Sequence, residues 1–366
     1  MGLKTPLLEN HKKLGATIVD FGGWDMPVQY TNVIEEHNAT RNACGLFDIC
    51  HMGEIFVEGE QAFDLLQKVT SRDISKIKNG KIALAVMCNE KGGIIDDLTI
   101  YKFNGKKFML VVNASNEIPD FEWCKKIAKH EKFHVKVTNS SREFAKLDIQ
   151  GPNSKKILQQ ITDFDLNELS FYTFKEGNLI GFPGIISQSG YTGELGYEIY
   201  FPWNAASEVW DKLLELGKED GIKPIGLGAR DTLRLECAMN LYGHEMDENK
   251  TPLEARYAWV CDFEKDFIGK EAILAQKEKG VPSKLVGFEM VDRGIARNPY
   301  KVFKNGEEIG YVTSGTMSPT LKKALGLSYI KSEHASVGEE IEIQIRDKLC
   351  MAKIVKLPFY KKTDGV

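Results

Sequence analysis

Two adjacent aspartates, Asp96 and Asp97, lie in the segment NEKGGIIDDLTIYK (89–102), which otherwise has the pattern of a buried β-strand. Successive side chains of a strand point to opposite faces, so the two carboxylates cannot share one side of a ligand. The Asp97 face also carries a hydroxyl and a phenol, a mixture typical of a wall that binds a polar ligand. We expect Asp97 to do chemistry and Asp96 to hold the Gly92–Gly93 turn. The alternative, that both acids only bind loop amides, stays open.

The next strand, KFMLVVNASN, returns through Asn104 and Gly105 as a hairpin and ends near Asn113. A two-residue turn would set Asn113 opposite Asp96, whereas one extra residue at the turn would set it opposite Asp97. The register of this hairpin therefore decides which acid Asn113 accompanies.

Several familiar site motifs are incomplete in this chain. The segment GLGARD (226–231) lacks the third glycine and the βαβ context of a dinucleotide site, and no phosphate-binding loop occurs. His244 and Glu245 have no second histidine a helical turn away, so we expect no metal site. Cys50 and His51 are adjacent and their side chains diverge, which disfavours a nucleophile pair. Isolated polar residues among glycines remain, a pattern typical of sites that orient a reactive cofactor.

Helical and strand patterns alternate without the regular rhythm of a doubly wound parallel sheet, which favours an α+β fold with antiparallel sheets. An apolar stripe predicts an amphipathic helix over 204–216, with Asn204 as N-cap and Gly217 just past its end. Further helices are expected over about 118–128 and after Gly151, with Asn153 or Ser154 as cap.

After the charged segment 275–284 the sequence changes to short alternating strands separated by turn signals such as Asn305–Gly306. This change predicts a domain boundary there. We expect residues 284–361 to form a small all-β module, a barrel or sandwich, because closure or sheet packing hides strand edges.

The composition is that of an ordinary globular protein of 366 residues, 42% of them hydrophobic. With 48 basic and 52 acidic residues the net charge is −4, and no basic patch with interleaved aromatics predicts nucleic-acid binding. Seven scattered cysteines suit reduced thiols. No apolar run reaches the roughly 20 residues of a membrane span, and the first residues lack a signal-peptide pattern. We expect a cytoplasmic protein, and a monomer by default.

Seven segments together resemble one known family, the aminomethyltransferases (T-proteins) of the glycine cleavage system. They occur in the family's order along almost the whole chain: VDFGGWDMPVQY (19–30), GLFDICHMGEIFVEG (45–59), NEKGGIIDDLTIYK (89–102), SGYTGELGYEIY (189–200), GLGARDTLRLECAMNLYGHEMDE (226–248), FIGKEAI (267–273) and VTSGTMSPTL (312–321).

The resemblance implies a three-domain cloverleaf around a central folate channel, with the carboxy-terminal barrel as its last part. Residues 1–275 would then be the folate-binding region, built from two interleaved α+β subdomains, and 284–361 the barrel domain. It also implies a reaction: an aminomethyl group on the dihydrolipoyl arm of the H-protein passes to tetrahydrofolate, giving 5,10-methylenetetrahydrofolate, ammonia and the reduced arm.

The resemblance also assigns roles to individual residues. Asp97 matches the catalytic acid of the family, which positions and activates the attacking folate nitrogen. Glu198 matches the acid that accepts N–H donors from the pterin, and Asn113 belongs beside Asp97. The residues implied to bind folate are Met52, Tyr101, Asn113, Tyr191, Glu198, Arg230 and Lys361. A surface pairing of Arg230 with Asp231 or Glu236 is the structural alternative.

The chain departs from the family pattern at two positions. Leu84 replaces a tyrosine of many bacterial relatives. Lys361 replaces an arginine of some, so a compact ammonium charge takes the place of a planar guanidinium.

Two other functions deserve comparison. A different folate-dependent one-carbon transferase or demethylase of the same fold is the first, although such relatives usually carry an oxidase domain or lose parts of the Asp-Asp strand. A non-enzymatic folate-binding relative that assists iron-sulfur proteins is the second, but its K-G-C-(Tyr/Phe)-x-G-Q signature is missing here.

Overall fold

A computed structural model describes residues 2–362 of the chain. The strands within these residues are β1 (Leu3–Lys4), β2 (Thr17–Phe21), β3 (Trp24–Gln29), β4 (Cys44–Asp48), β5 (Gly53–Glu58), β6 (Lys81–Cys88), β7 (Ile94–Asn104), β8 (Lys107–Val112), β9 (Lys136–Asn139), β10 (Phe144–Gln150), β11 (Thr173–Leu179), β12 (Phe182–Gln188), β13 (Gly196–Pro202), β14 (Ile222–Ile225), β15 (Ser283–Met290), β16 (Lys301–Lys304), β17 (Glu307–Met317), β18 (Ala324–Lys331), β19 (Glu340–Ile345) and β20 (Lys348–Val355). The α-helices are α1 (Leu8–Lys13), α2 (Val33–Asn42), α3 (Ala62–Val69), α4 (Glu117–His130), α5 (Ser154–Leu158), α6 (Ala206–Leu216), α7 (Leu227–Glu236) and α8 (Lys270–Lys279).

An eleven-stranded sheet, in the order β14-β4-β10-β13-β12-β11-β6-β7-β8-β5-β9, forms the centre of the molecule. Its two halves are joined between β11 and β6 by the single pair Thr173 and Lys81. The chain also crosses from one half to the other in the short segment between β4 and β5. The halves are therefore interleaved in sequence, and residues far apart in the chain line one sheet face.

Helices cover the outer faces of both halves. On α6 the residues Ala206, Val209, Trp210 and Leu213 are buried, as the apolar stripe predicts. The predicted cap at Asn204 is wrong, because a 3₁₀ turn over Trp203–Ala205 precedes the helix and no side chain caps it. The other two predicted helices are present as α4 and the short α5.

The carboxy-terminal strands close into a six-stranded barrel in the order β15-β18-β17-β16-β19-β20. Asn305 and Gly306 both have positive φ, so they form the tight turn of the β16–β17 hairpin that their sequence predicts. The predicted α+β fold with largely antiparallel sheets and a terminal barrel is confirmed. The division at 275–284 stays a prediction. In the described part of the chain, no helix has the length and apolar character needed to cross a membrane.

The β7–β8 hairpin carries a bulge next to its turn and pairs Thr99 with Val111. Extending that register places Asn113 opposite Asp97, so the bulged register expected for a shared site is confirmed. The preceding Gly92–Gly93 turn has a steric cause: Gly92 has φ +83°, and a Cβ on Gly93 would lie 1.7 Å from the carbonyl oxygen of Glu248.

Candidate active site

Asp97 lies on the inner face of β7, where two side chains from other segments bind its carboxylate. Asn113 Nδ2 donates to Oδ1 at 2.9 Å, and the hydroxyl of Tyr257 donates to Oδ2 at 3.2 Å. Burial, and next the charge of Asp96, raise the pKa of Asp97 to about 7. Asp97 is therefore a carboxylate whose proton affinity suits acid-base work near neutral pH.

Asp96 points to the opposite face and is fully buried. Its carboxylate accepts from the backbone N–H of Asn113 at 3.0 Å, from Asn113 Nδ2 at 2.8 Å and from Asn116 Nδ2 at 2.7 Å. The expectation that Asp96 holds the Gly92–Gly93 turn is wrong, because the Asn89 side chain accepts the N–H of Gly93 there. Asp96 instead fixes the segment that presents Asn113 to Asp97.

Glu198 projects from β13 in the other half of the sheet, and hydroxyl groups hold it. Ser189 Oγ donates to Glu198 Oε2 at 2.5 Å, and the hydroxyl of Tyr101 lies 3.3 Å from the same oxygen. Ser187 and Tyr200 each lie 3.1 Å from the Tyr101 hydroxyl and extend this network. Within residues 2–362 no donor reaches Glu198 Oε1. One oxygen is thus fixed and the other is free to accept.

Arg230 is the third charged group of the site and stands at the first turns of α7. Its guanidinium forms an ion pair with the buried Asp148 at 3.3 Å, so the pairing with Asp231 or Glu236 considered from the sequence is wrong. Burial and the neighbouring Glu198 raise the pKa of Asp148 to about 7, and Arg230 opposes that shift. The Arg230 guanidinium also lies 5.1 Å from the Tyr191 ring centroid.

The other predicted site residues divide between the inner face and the surface. Met52 lies between β4 and β5 and packs against the clusters that contain Tyr101 and Phe47. The Tyr191 hydroxyl donates to the carbonyl of Asn240. Tyr101 itself is fully buried. The inner face therefore collects Met52, Tyr101 and Tyr191, although they come from three distant segments.

The carboxy-terminal tail is attached through Lys362 rather than Lys361. Lys362 Nζ forms an ion pair with Glu194 at 2.9 Å, whereas Lys361 is exposed. Tyr360 donates to the other oxygen of Glu194 at 2.9 Å. Leu84 packs against the apolar cluster that contains Tyr257. The tail thus lies against the SGYTGELGYEIY segment, and Lys361 extends from it.

Comparison with known proteins agrees with this architecture. Residues 7–265 match the GCVT N-terminal domain, and residues 284–361 match the glycine cleavage T-protein C-terminal barrel domain. The chain belongs to the glycine cleavage T-protein family. Curated aminomethyltransferases of this family are 49% identical over 360 residues in Desulfitobacterium hafniense (strain DSM 10664 / DCB-2) and 50% identical over 361 residues in Thermoanaerobacter sp. (strain X514), each alignment covering 98% of both chains.

A solved structure shows the same fold. The crystal structure of glycine cleavage system aminomethyltransferase T from Bartonella henselae superposes with a TM-score of 0.93, is 34% identical in sequence and covers 99% of each chain. The chain is accordingly an enzyme, an aminomethyltransferase. Its similarity to T-proteins extends over both the sheet that carries Asp97 and Glu198 and the terminal barrel.

Sequence reasoning missed several residues of this candidate site. Tyr257 binds Asp97, and Asp148 binds Arg230. Tyr172 has φ +60°, a left-handed conformation that is uncommon for an aromatic residue, and its pKa is raised to about 12 by burial and by the nearby Glu198 and Asp97. None of these residues is in a motif, and only the alternation of β10 offered a signal for Asp148.

Two surface depressions of about 750 and 930 Å³ contain none of the predicted site residues. The first is lined by residues between Pro152 and Leu195, and the second by the carboxy-terminal half of α4 together with β9. The candidate site is indicated instead by the convergence of polar groups from both sheet halves.

Proposed function

We propose that this aminomethyltransferase moves the carbon of an aminomethyl group, carried on the dihydrolipoyl arm of an H-protein, to tetrahydrofolate. The products are 5,10-methylenetetrahydrofolate, ammonia and the dihydrolipoyl H-protein. Tetrahydrofolate supplies the amine nitrogens that accept the carbon. The protein binds and orients the two substrates, and its side chains supply proton affinity at defined atoms.

The observation that carries this proposal is the hydrogen bonding of the Glu198 carboxylate. Its Oε2 is fixed by Ser189 and Tyr101, while no donor in the described chain reaches Oε1. The pyrimidine edge of a pterin presents neighbouring N–H donors, and a carboxylate held on one side matches them. We infer that Glu198 binds this edge and that Tyr101 acts by holding Glu198.

Asp97 is assigned the catalytic role because it lies on the same inner face and has raised proton affinity. Asn113 and Tyr257 hold its carboxylate in one orientation. A carboxylate in this position accepts a hydrogen bond from a reacting amine and stabilises the positive charge that develops on it during attack.

The remaining residues are proposed to bind other parts of the same ligand. The Arg230 guanidinium suits a carbonyl or carboxylate oxygen, while Met52 and Tyr191 offer a thioether and a ring that suit a flat heterocycle. Lys361 is proposed to meet the carboxylate end of folate, since its exposed ammonium extends from the tail beside Glu194.

We further propose that folate binding belongs to residues 1–275 and that the H-protein visits transiently, presenting its lipoyl arm to Asp97. The enzyme acts as a monomer in this proposal. A transient encounter suits a carrier that must visit several enzymes, because a small interface allows rapid release.

The test is a reconstituted assay with the full-length protein, tetrahydrofolate and H-protein whose lipoyl arm carries the aminomethyl group. We expect ammonia and 5,10-methylenetetrahydrofolate to appear in equal amounts. Asp97→Asn should lower the rate by about 10²-fold or more, with tetrahydrofolate still bound. Glu176→Gln, an exposed acid on β11, is the matched control.

A second donor distinguishes the closest alternative. If the protein transfers carbon from a free methylated amine or sulfonium compound and ignores the loaded H-protein, it is a different folate-dependent transferase. Tetrahydrofolate binding without transfer from either donor, unaffected by Asp97→Asn, would contradict the catalytic assignment.

A further inference from the structure

Asp120 is a buried acid behind the site to which sequence patterns assign no role. It lies in the first turns of α4, is fully buried, and neither carboxyl oxygen accepts a hydrogen bond from an N–H or hydroxyl donor of the described residues. Among charged groups, the carboxyl group of Asp96 acts on it most strongly. An ionised Asp120 would therefore be buried without any compensating donor.

Two ionised carboxylates offer only acceptors, so a hydrogen bond between Asp96 and Asp120 requires one shared proton. The surroundings decide which residue holds it. Asp96 accepts three further hydrogen bonds, one from the backbone of Asn113 and two from the side-chain amides of Asn113 and Asn116. Asp120 accepts none. The proton therefore belongs to Asp120, and burial together with Asp96 raises the pKa of Asp120 well above its usual value.

The groups around this pair are acidic or neutral. Asp97 faces it from β7, Cys124 from α4, and Tyr242 from the loop after α7. In residues 2–362 no lysine, arginine or histidine forms an ion pair with Asp96, Asp97 or Asp120. A proton is therefore the available means of compensating charge, and the three acids form a chain that ends at the active-site carboxylate.

We propose that Asp120 is a positioning residue for aminomethyl transfer, and that its protonated carboxyl donates to Asp96 and thereby holds Asn113 against Asp97. This inference rests on the function proposed for Asp97. Asp120 acts through the chain Asp120–Asp96–Asn113–Asp97, in which the first link is the proposed hydrogen bond and the other two are observed ones.

The arrangement has a consequence for reactivity. With the proton on Asp120, Asp96 keeps a fixed negative charge that one amide nitrogen connects to Asp97. That charge increases the affinity of Asp97 for a proton and for an amine that becomes positive. The Asp96–Asp120 pair thus sets both the orientation and the basicity of the Asp97 carboxylate.

The test compares Asp120→Asn, which keeps a neutral donor toward Asp96, with Asp120→Leu, which removes it. Asp120→Asn should retain at least a third of kcat and leave its pH profile unmoved. Asp120→Leu should lower kcat by about 10- to 100-fold, as loss of an outer hydrogen-bond partner does at other sites, with KM for tetrahydrofolate within about threefold. Glu122→Gln, an exposed acid on α4, is the control.

A measurement without substrates separates this inference from the function on which it rests. The infrared difference spectrum between wild type and Asp120→Asn at pH 7.5 should show the loss of a protonated carboxylic acid, even if no transfer activity is found. Loss of a carboxylate band instead would overturn the inference. So would a fall of one pH unit in the kcat profile of Asp120→Asn, because it would mean that a negative charge had been removed.

Discussion

The hydroxyl of Tyr257 lies 3.2 Å from Oδ2 of Asp97 and donates to it, although the two residues are 160 positions apart in sequence. Tyr257 directly precedes a 3₁₀ turn over Ala258–Val260, outside the sheet that carries Asp97. A donor to the ionised carboxylate favours that form, so Tyr257 opposes the increase that burial and Asp96 cause in the pKa of Asp97.

We expect Tyr257→Phe to move the rising limb of the pH–rate profile toward alkaline pH. Without the hydroxyl, the pKa of Asp97 rises further and the residue is ionised only at higher pH. One hydrogen bond to a charged group contributes about 1.5 kcal/mol, so the limb should move by about one pH unit. Rates measured from pH 6 to 9 would show about a tenfold loss at pH 6.5 and recovery near pH 9.

Tyr311→Phe is the control for that experiment, because Tyr311 lies at the barrel surface and its hydroxyl makes no hydrogen bond to any of residues 2–362. A Tyr257→Phe enzyme that loses the same fraction of its rate at every pH would show that Tyr257 acts by packing alone.

Asp97 should also reduce the stability of the folded protein as the pH rises. Its folded pKa is raised to about 7, above the value near 4 in an unfolded chain, so the folded state binds more protons between these values. Stability is therefore lost as the pH rises through this window, and Asp97→Asn escapes the loss because it cannot ionise.

The free energy of unfolding of Asp97→Asn should exceed that of wild type by a margin that grows by about 1–2 kcal/mol between pH 5 and pH 7.5. Each pKa unit corresponds to about 1.4 kcal/mol, and water reaches part of the carboxyl, which reduces the full amount. Urea unfolding at both pH values measures it, with Asp64→Asn on α3 as the control. A margin that stays constant between the two pH values would mean that Asp97 is ionised throughout.

Strand alternation was sufficient to place Asp97 and Tyr101 on one face of β7, because side chains alternate regularly within a strand. The spacing left the register of the next hairpin open, and the family resemblance was needed to expect the bulged register that sets Asn113 opposite Asp97. The sequence also predicted α6 and an all-β carboxy-terminal module, since the apolar stripe of the helix and the alternation of the short strands are clear patterns.

The partners that complete the site could not be derived in this way. Tyr257 and Asp148 reach Asp97 and Arg230 from segments whose position depends on how helices and the second sheet half pack. The role of Asp96 was wrong for the same reason, because its partners Asn113 and Asn116 lie beyond the next strand. A pattern along one element specifies its faces, but not what another element brings to them.

Glu198→Gln should weaken tetrahydrofolate binding more than it lowers the rate of transfer to bound tetrahydrofolate. Glutamine has a donor amide in place of one carboxylate oxygen, so either a pterin N–H or the Ser189 hydroxyl would face another donor. Loss of a hydrogen bond to a charged group costs about 1.5–3 kcal/mol, or roughly a 10- to 100-fold increase in Kd by calorimetry.

Glu176→Gln serves as the control for that loss. Ser189→Ala should have a smaller effect in the same direction, because it frees Oε2 without changing the charge. An unchanged Kd in Glu198→Gln would remove Glu198 from the binding site.

Arg230 and Asp148 should be coupled in stability but separable in function. Arg230→Ala leaves a buried carboxylate beside Glu198 with no opposite charge, and breaking a buried pair costs about 3 kcal/mol. Asp148 then holds its proton to a higher pH than in wild type, so the loss should be smaller at pH 6 than at pH 8.

Adding Asp148→Asn to Arg230→Ala should restore the melting temperature at pH 8, because the amide does not ionise. Tetrahydrofolate binding should stay weak in the double variant, since its guanidinium partner is absent. Thermal unfolding and calorimetry on wild type, Arg230→Ala, Asp148→Asn and the double variant measure both effects. Recovery of binding together with stability would show that Arg230 acts only by neutralising Asp148.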